Sequence, residues 1–153
     1  MRNTISELGY EEKGTEIDNG GVDITENIEK ATSSILRTIK KELPNVSIKV
    51  TSGNDKYHQT VKYNSRHKKG NAVDITVIPA TDINKNKVYN ILQRYAAGNN
   101  PNFRFINEYA NPTHAATGGH FHLSWGAGSE SQKKVDKAIL LAQEGKINPI
   151  QIV

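Results

Sequence analysis

From about Thr25 the apolar residues Ile28, Ala31, Ile35, Ile39 and Leu43 recur at spacings of three and four, the period of an amphipathic helix. Pro44 ends that run, because proline cannot sit in a helix interior. Val46, Ile48 and Val50 then alternate with polar residues, which predicts a strand ending at Ser52-Gly53. The segment 53–71 is polar, basic and without periodicity, so it reads as a long loop, and loops of that length in a small domain are usually functional. Alternation returns at Val73, Ile75 and Val77, interleaved with Ala72, Asp74 and Thr76. A second helix is expected from about Asp82, with Val88, Ile91, Leu92 and Tyr95 on one face and Gly98 as its C-cap. Two further strands follow, FRFINE at 103–108 and HFHLSW at 120–125, joined by a loop rich in Asn, Pro, Thr and Gly. A last helix opens with the capping-box form Ser129-Glu130-Ser131-Gln132, is expected to bury Val135, Ile139 and Ala142, and stops at Gly145. The order helix, strand, strand, helix, strand, strand, helix implies an α+β domain, a small antiparallel or mixed sheet flanked by helices.

The 153 residues suit one domain with a real core. Residues 1–22, polar and Gly-bearing, read as a loosely attached N-terminal arm, 23–145 as the domain and 146–153 as a C-terminal tail. No run of about 18 apolar residues could span a bilayer, and no charged-then-apolar leader opens the chain, so a soluble protein without an export signal of its own is expected. Charge changes the picture more than length does. Residues 1–30 carry eight acidic and three basic side chains, whereas 31–153 carry eight acidic and seventeen basic ones. A basic body attracts polyanions, nucleic acid or an anionic cell wall among them, or merely solvates the surface. No RNA-binding signature or helix-turn-helix pattern favours nucleic acid.

The chain has no cysteine, so any zinc must be held by histidine and carboxylate. In 120–125 the alternation puts His120, His122 and Ser124 on one face and Phe121, Leu123 and Trp125 on the other. Asp74 likewise lies opposite the apolar face of its strand. If the two strands are neighbours, Asp74 and His122 can converge on an open face with a loop-borne histidine, His67. Three such ligands with one position left for water are what a catalytic zinc requires, whereas a structural zinc is normally closed by a fourth residue.

The stretch VTSGNDKYHQTVKYNSRHKKGNAVDI, followed downstream by GGHFHLSW, resembles the zinc D-Ala-D-Ala carboxypeptidases and related peptidoglycan endopeptidases. That group includes phage lysins and shares its metal site with the hedgehog signalling domain. Ser65, His67, Gly70, Ala72 and Asp74 match every fixed position of the family motif S-x-H-x-x-G-x-A-x-D, and the resemblance covers roughly 46–125. It implies a hedgehog/DD-peptidase-like fold, zinc held by His67, Asp74 and His122, and hydrolysis of a D-Ala or L-Ala-D-Glu bond in a peptidoglycan stem peptide. Many members carry a glutamate base three to six residues before the last ligand, where this chain has Ala116, Thr117, Gly118 and Gly119. The base then falls to His120, with His114 as a second proton carrier, as in members that use histidines near the HxH; Asp55 and Glu108 are the other acids in the region. Arg66, Lys68 and Lys69 surround the first ligand and either solvate the loop or bind stem-peptide carboxylates, with Ser65, Arg66 and Lys68 the expected substrate contacts. His58 reads as a surface or substrate-facing residue. The expected setting is a monomer, or a domain of a larger virion or lysis protein, delivered to the wall by a phage or virion. The alternative is a catalytically inactive, zinc-containing wall-binding or virion structural domain.

Overall fold

A computed structural model describes residues 25–52, 71–109, 119–126 and 132–152. They form α1 (Glu26–Glu42), β1 (Ser47–Ser52), β2 (Ala72–Ile78), α2 (Asp82–Gly98), β3 (Phe103–Asn107), β4 (Phe121–Trp125) and α3 (Gln132–Gln143). The element order is that expected from the alternation of periods, and the fold is α+β. The four strands make one sheet in the order β1-β2-β4-β3, with every neighbouring pair antiparallel. β2 and β3 run parallel with a gap between them, α2 connects them, and β4 later fills the gap.

One face of this sheet carries Ile48, Val50, Val73, Ile75, Val77, Phe103, Phe105, Phe121 and Leu123, all buried. Against them pack Ile28, Ala31, Ile35 and Ile39 of α1 and Val88, Leu92, Tyr95 and Ala96 of α2. Each such aliphatic or aromatic side chain contributes roughly 1.5–3 kcal/mol by leaving water, so this single layer accounts for most of the driving force. Tyr95 has its phenol satisfied inside the core, beside the hydroxyls of Ser34 and Thr38 at 2.8 and 2.6 Å and donating to the Ser34 carbonyl at 3.0 Å. α2 starts at Thr81, whose hydroxyl accepts from the Asn84 N–H at 3.2 Å.

Two expectations need correction. Gly98 is not the cap of α2 but its last helical residue, with Asn99 as C-cap. Its lack of a side chain answers a different need: a Cβ there would lie 2.2 Å from the Ile150 carbonyl oxygen. The segment after α3 crosses this point, with the Ile150 N–H donating to the Arg94 carbonyl and Asn99 bonding both Ile150 and Ile152. Ile147, Ile150 and Ile152 accordingly pack against the core. In α3 only Val135 and Ala138 are buried, while Ile139 and Ala142 are half-exposed, because the helix leans on α2 and β3 at the margin of the layer. The capping box at 129–131 and the arm at 1–22 lie outside the described residues. Among the described residues no helix is long and apolar enough to cross a membrane.

Candidate functional site

The second face of the sheet is buried around Asp74 and His122, while Ser47 and Ile78 at its margin are exposed. Asp74 is 7 % exposed, His122 8 % and Ser124 fully buried, so these three positions, expected to meet solvent, are withdrawn from it. β2 and β4 are neighbours, and their register pairs Asp74 directly with His122. β1 carries an extra residue between Val50 and Ser52, which brings Ser52 opposite Asp74. Such a bulge twists the strand end beside the carboxylate.

Asp74 Oδ1 lies 3.2 Å from His122 Nδ1. In the metal-free chain this contact is a hydrogen bond, the imidazole N–H donating and the carboxylate accepting. The same distance has a second meaning. Two ligands on one tetrahedral zinc, each about 2.0–2.1 Å from it, stand about 3.3–3.4 Å apart. The pair therefore fits two corners of such a site. Among the described residues no group of three or more histidine, aspartate or glutamate side chains is set to hold a metal. His67, the remaining ligand expected from sequence, lies outside the described residues, as do His114, His58, Asp55, Ser65, Arg66 and Lys68.

His120 precedes β4 and turns to the same polar face. Its Nε2 is 3.6 Å from Asp74 Oδ1 and 3.3 Å from Glu108 Oε2. Glu108, only 7 % exposed, follows the end of β3. The β3–β4 register pairs Asn107 with Phe121, so the next step places Glu108 opposite His120, and the Glu108 N–H donates to the His120 carbonyl at 3.0 Å. Burial works against a charge on His120, but the bond to Glu108 and the charges of Asp74 and Glu108 outweigh it and hold the imidazole above its ordinary value of 6.5. A carboxylate thus stands beside the expected base, although none occurs at 116–119.

The sequence offers Glu108 only as one of two acids in the region, with Asp55, that could replace the missing glutamate. A signal for it existed. Phe103 and Phe105 alternate with Arg104, Ile106 and Glu108 just as Phe121 and Leu123 alternate with His120, His122 and Ser124. Pairing the two runs core face to core face puts Glu108 with the histidines. Arg104, on the same polar face, is almost fully buried and serves a structural purpose, donating Nε to the Gly126 carbonyl at 3.1 Å and Nη2 to Gln132 Oε1 at 2.9 Å. It ties β3 to the start of α3.

Compared with known proteins, the chain matches no family model, no curated protein and no solved structure.

Proposed function

We propose that the chain is a zinc metallopeptidase that hydrolyses a peptide bond of bacterial peptidoglycan, at D-Ala or between L-Ala and D-Glu. The observation that carries this reading is the 3.2 Å separation of Asp74 Oδ1 and His122 Nδ1, because it is the spacing of two ligands on one ion and both residues belong to the motifs that resemble the peptidase family. His67, fixed by the same motif, would be the third ligand. Bound there, zinc would polarise the scissile carbonyl and acidify the attacking water.

The remaining chemistry belongs to the chain. The His120 Nε2 and Glu108 Oε2 pair takes up the proton that water loses as its oxygen bonds to the carbonyl carbon. The pair then delivers that proton to the amine as the C–N bond breaks. Glu108 reaches this position from β3 rather than from the residues just before the HxH, which supplies the acid that the local sequence lacks. Asp74 and His122 sit on adjacent strands of a packed sheet, so their geometry is set before substrate arrives. Ser65, Arg66 and Lys68 flank His67 in sequence and are the proposed contacts to the stem peptide.

Metal content by mass spectrometry, paired with stem-peptide hydrolysis, tests the reading. One zinc per chain and hydrolysis lost on chelation are expected. A chain that takes up no zinc contradicts the proposal, and one that binds zinc yet cuts no stem peptide is the inactive wall-binding or virion domain instead.

A further inference from the structure

Glu108 and His120 approach from two ends of a segment, 109–119, and something must fix both ends if their 3.3 Å contact is to be reproducible. The residue next to Glu108 is placed to do so. The Tyr109 N–H donates to Asn107 Oδ1 at 3.1 Å, which closes a tight turn after β3. Its side chain leaves on the opposite side of the backbone from Glu108, toward the apolar face. There the ring meets Phe121 edge-on, with centroids 5.2 Å apart, and Lys85 of α2 sits over it at 5.0 Å. The phenol oxygen accepts the Val77 N–H at 2.9 Å. That N–H belongs to a part of β2 running beyond the pairing with β4, which ends at Ile75 opposite Phe121, so Tyr109 stands in for a strand partner. The ring also occupies the space at Gly119, where a Cβ would lie 2.4 Å from Tyr109 Cδ1.

One side chain therefore touches β2, β4 and the residue before His120, and is covalently adjacent to Glu108. We propose that Tyr109 is a positioning residue whose grip on Val77, Phe121 and Gly119 sets where Glu108 meets His120. It touches no reacting atom in this scheme and acts through the Glu108–His120 pair, so the inference rests on the peptidase reading for its purpose and on the geometry for its existence. Gly119 is the complementary half of the device: a side chain there would collide with the ring, so the two cannot keep their present places together.

The test separates the two. Imidazole nitrogen and carbon resonances of His120 and His122 are recorded by NMR in the metal-free full chain, for wild type, Glu108→Gln, Tyr109→Phe and Gly119→Ala. Tyr109→Phe keeps the ring and removes only the phenol oxygen, with its bonds to the Val77 N–H and the Thr76 hydroxyl, so it is the mild variant; Gly119→Ala crowds the ring by another route. The expected result is that both move the His120 resonances toward those of Glu108→Gln and leave His122 in place. Unchanged His120 resonances in both folded variants overturn the proposal, whether or not the chain is a peptidase. With the zinc-loaded chain, Tyr109→Phe is expected to lower kcat on the order of 10- to 100-fold at unchanged KM and zinc content, the scale of a misplaced catalytic group. The same substitution in the Glu108→Gln background is expected to cost little further. An equal loss in both backgrounds marks a merely structural tyrosine and contradicts the proposal.

Discussion

Asp74 and His122 face one another in register across β2 and β4, with Oδ1 and Nδ1 3.2 Å apart and both side chains nearly excluded from solvent. If this pair supplies two corners of a zinc site, each member is indispensable to it. Asp74→Ala, His122→Ala and His67→Ala are each expected to reduce bound zinc from one per chain to none, read by mass spectrometry. Full occupancy in His122→Ala would move the third ligand to His120.

His120 and Glu108 are expected to be needed for rate and not for metal. Replacing a general base costs on the order of 10²- to 10⁴-fold. His120→Ala and Glu108→Gln should therefore lose activity on that scale at wild-type zinc content. Wild-type rates in both would send the search for the base to His114 and Asp55.

Chelation should cost activity far more than fold. The core between the sheet and α1 and α2 consists of aliphatic and aromatic side chains away from the polar face, so it does not depend on a metal as a zinc finger does. Far-UV circular dichroism should keep its helical signature after chelator treatment, and a coil spectrum would contradict this account of the core.

Gly98→Ala should destabilise the protein through the last segment of the chain. The added methyl group collides with the Ile150 backbone, which α2 and Asn99 hold in place. The overpacking is expected to cost about 1–3 kcal/mol, visible as a lowered melting temperature. An unchanged melting temperature would show that the segment can lift away freely.

Tyr109 gives the fold an alkaline limit. Burial raises its phenol above 10.0, only partly offset by the Val77 N–H and the Thr76 hydroxyl. A group whose folded value is raised contributes stability that is complete below its unfolded value and is lost as pH climbs through the folded one. Stability measured by denaturant should hold up to about pH 10 on this account and decline above it, and Tyr109→Phe should flatten that decline. A phenolate titration midpoint for Tyr109 at or below 10.0 would contradict the sign.

The elements were legible because their periods are clean. Ile28 to Ile39 at helical spacing, and Val73, Ile75 and Val77 in alternation, leave little choice of structure. The polar face that carries Asp74 and His122 was legible for the same reason: alternation separates them from the apolar residues on each strand. Their burial was not legible, since alternation says which face a residue takes and nothing about what covers it. Glu108 was obscured by distance along the chain, twelve residues from His120, a separation that only the β3–β4 register closes. Gly98 illustrates the same limit, because its neighbour is Ile150, and no local pattern announces a contact across 52 residues.

The most direct test of the central claim is the release of free amines from purified peptidoglycan by the zinc-loaded chain, measured with and without chelator. Amines should appear in step with wall solubilisation or stem-peptide shortening, vanish on chelation and return when zinc is restored. A chain carrying one zinc that releases no amine from any peptidoglycan chemotype, under conditions where it stays folded, would contradict the peptidase account.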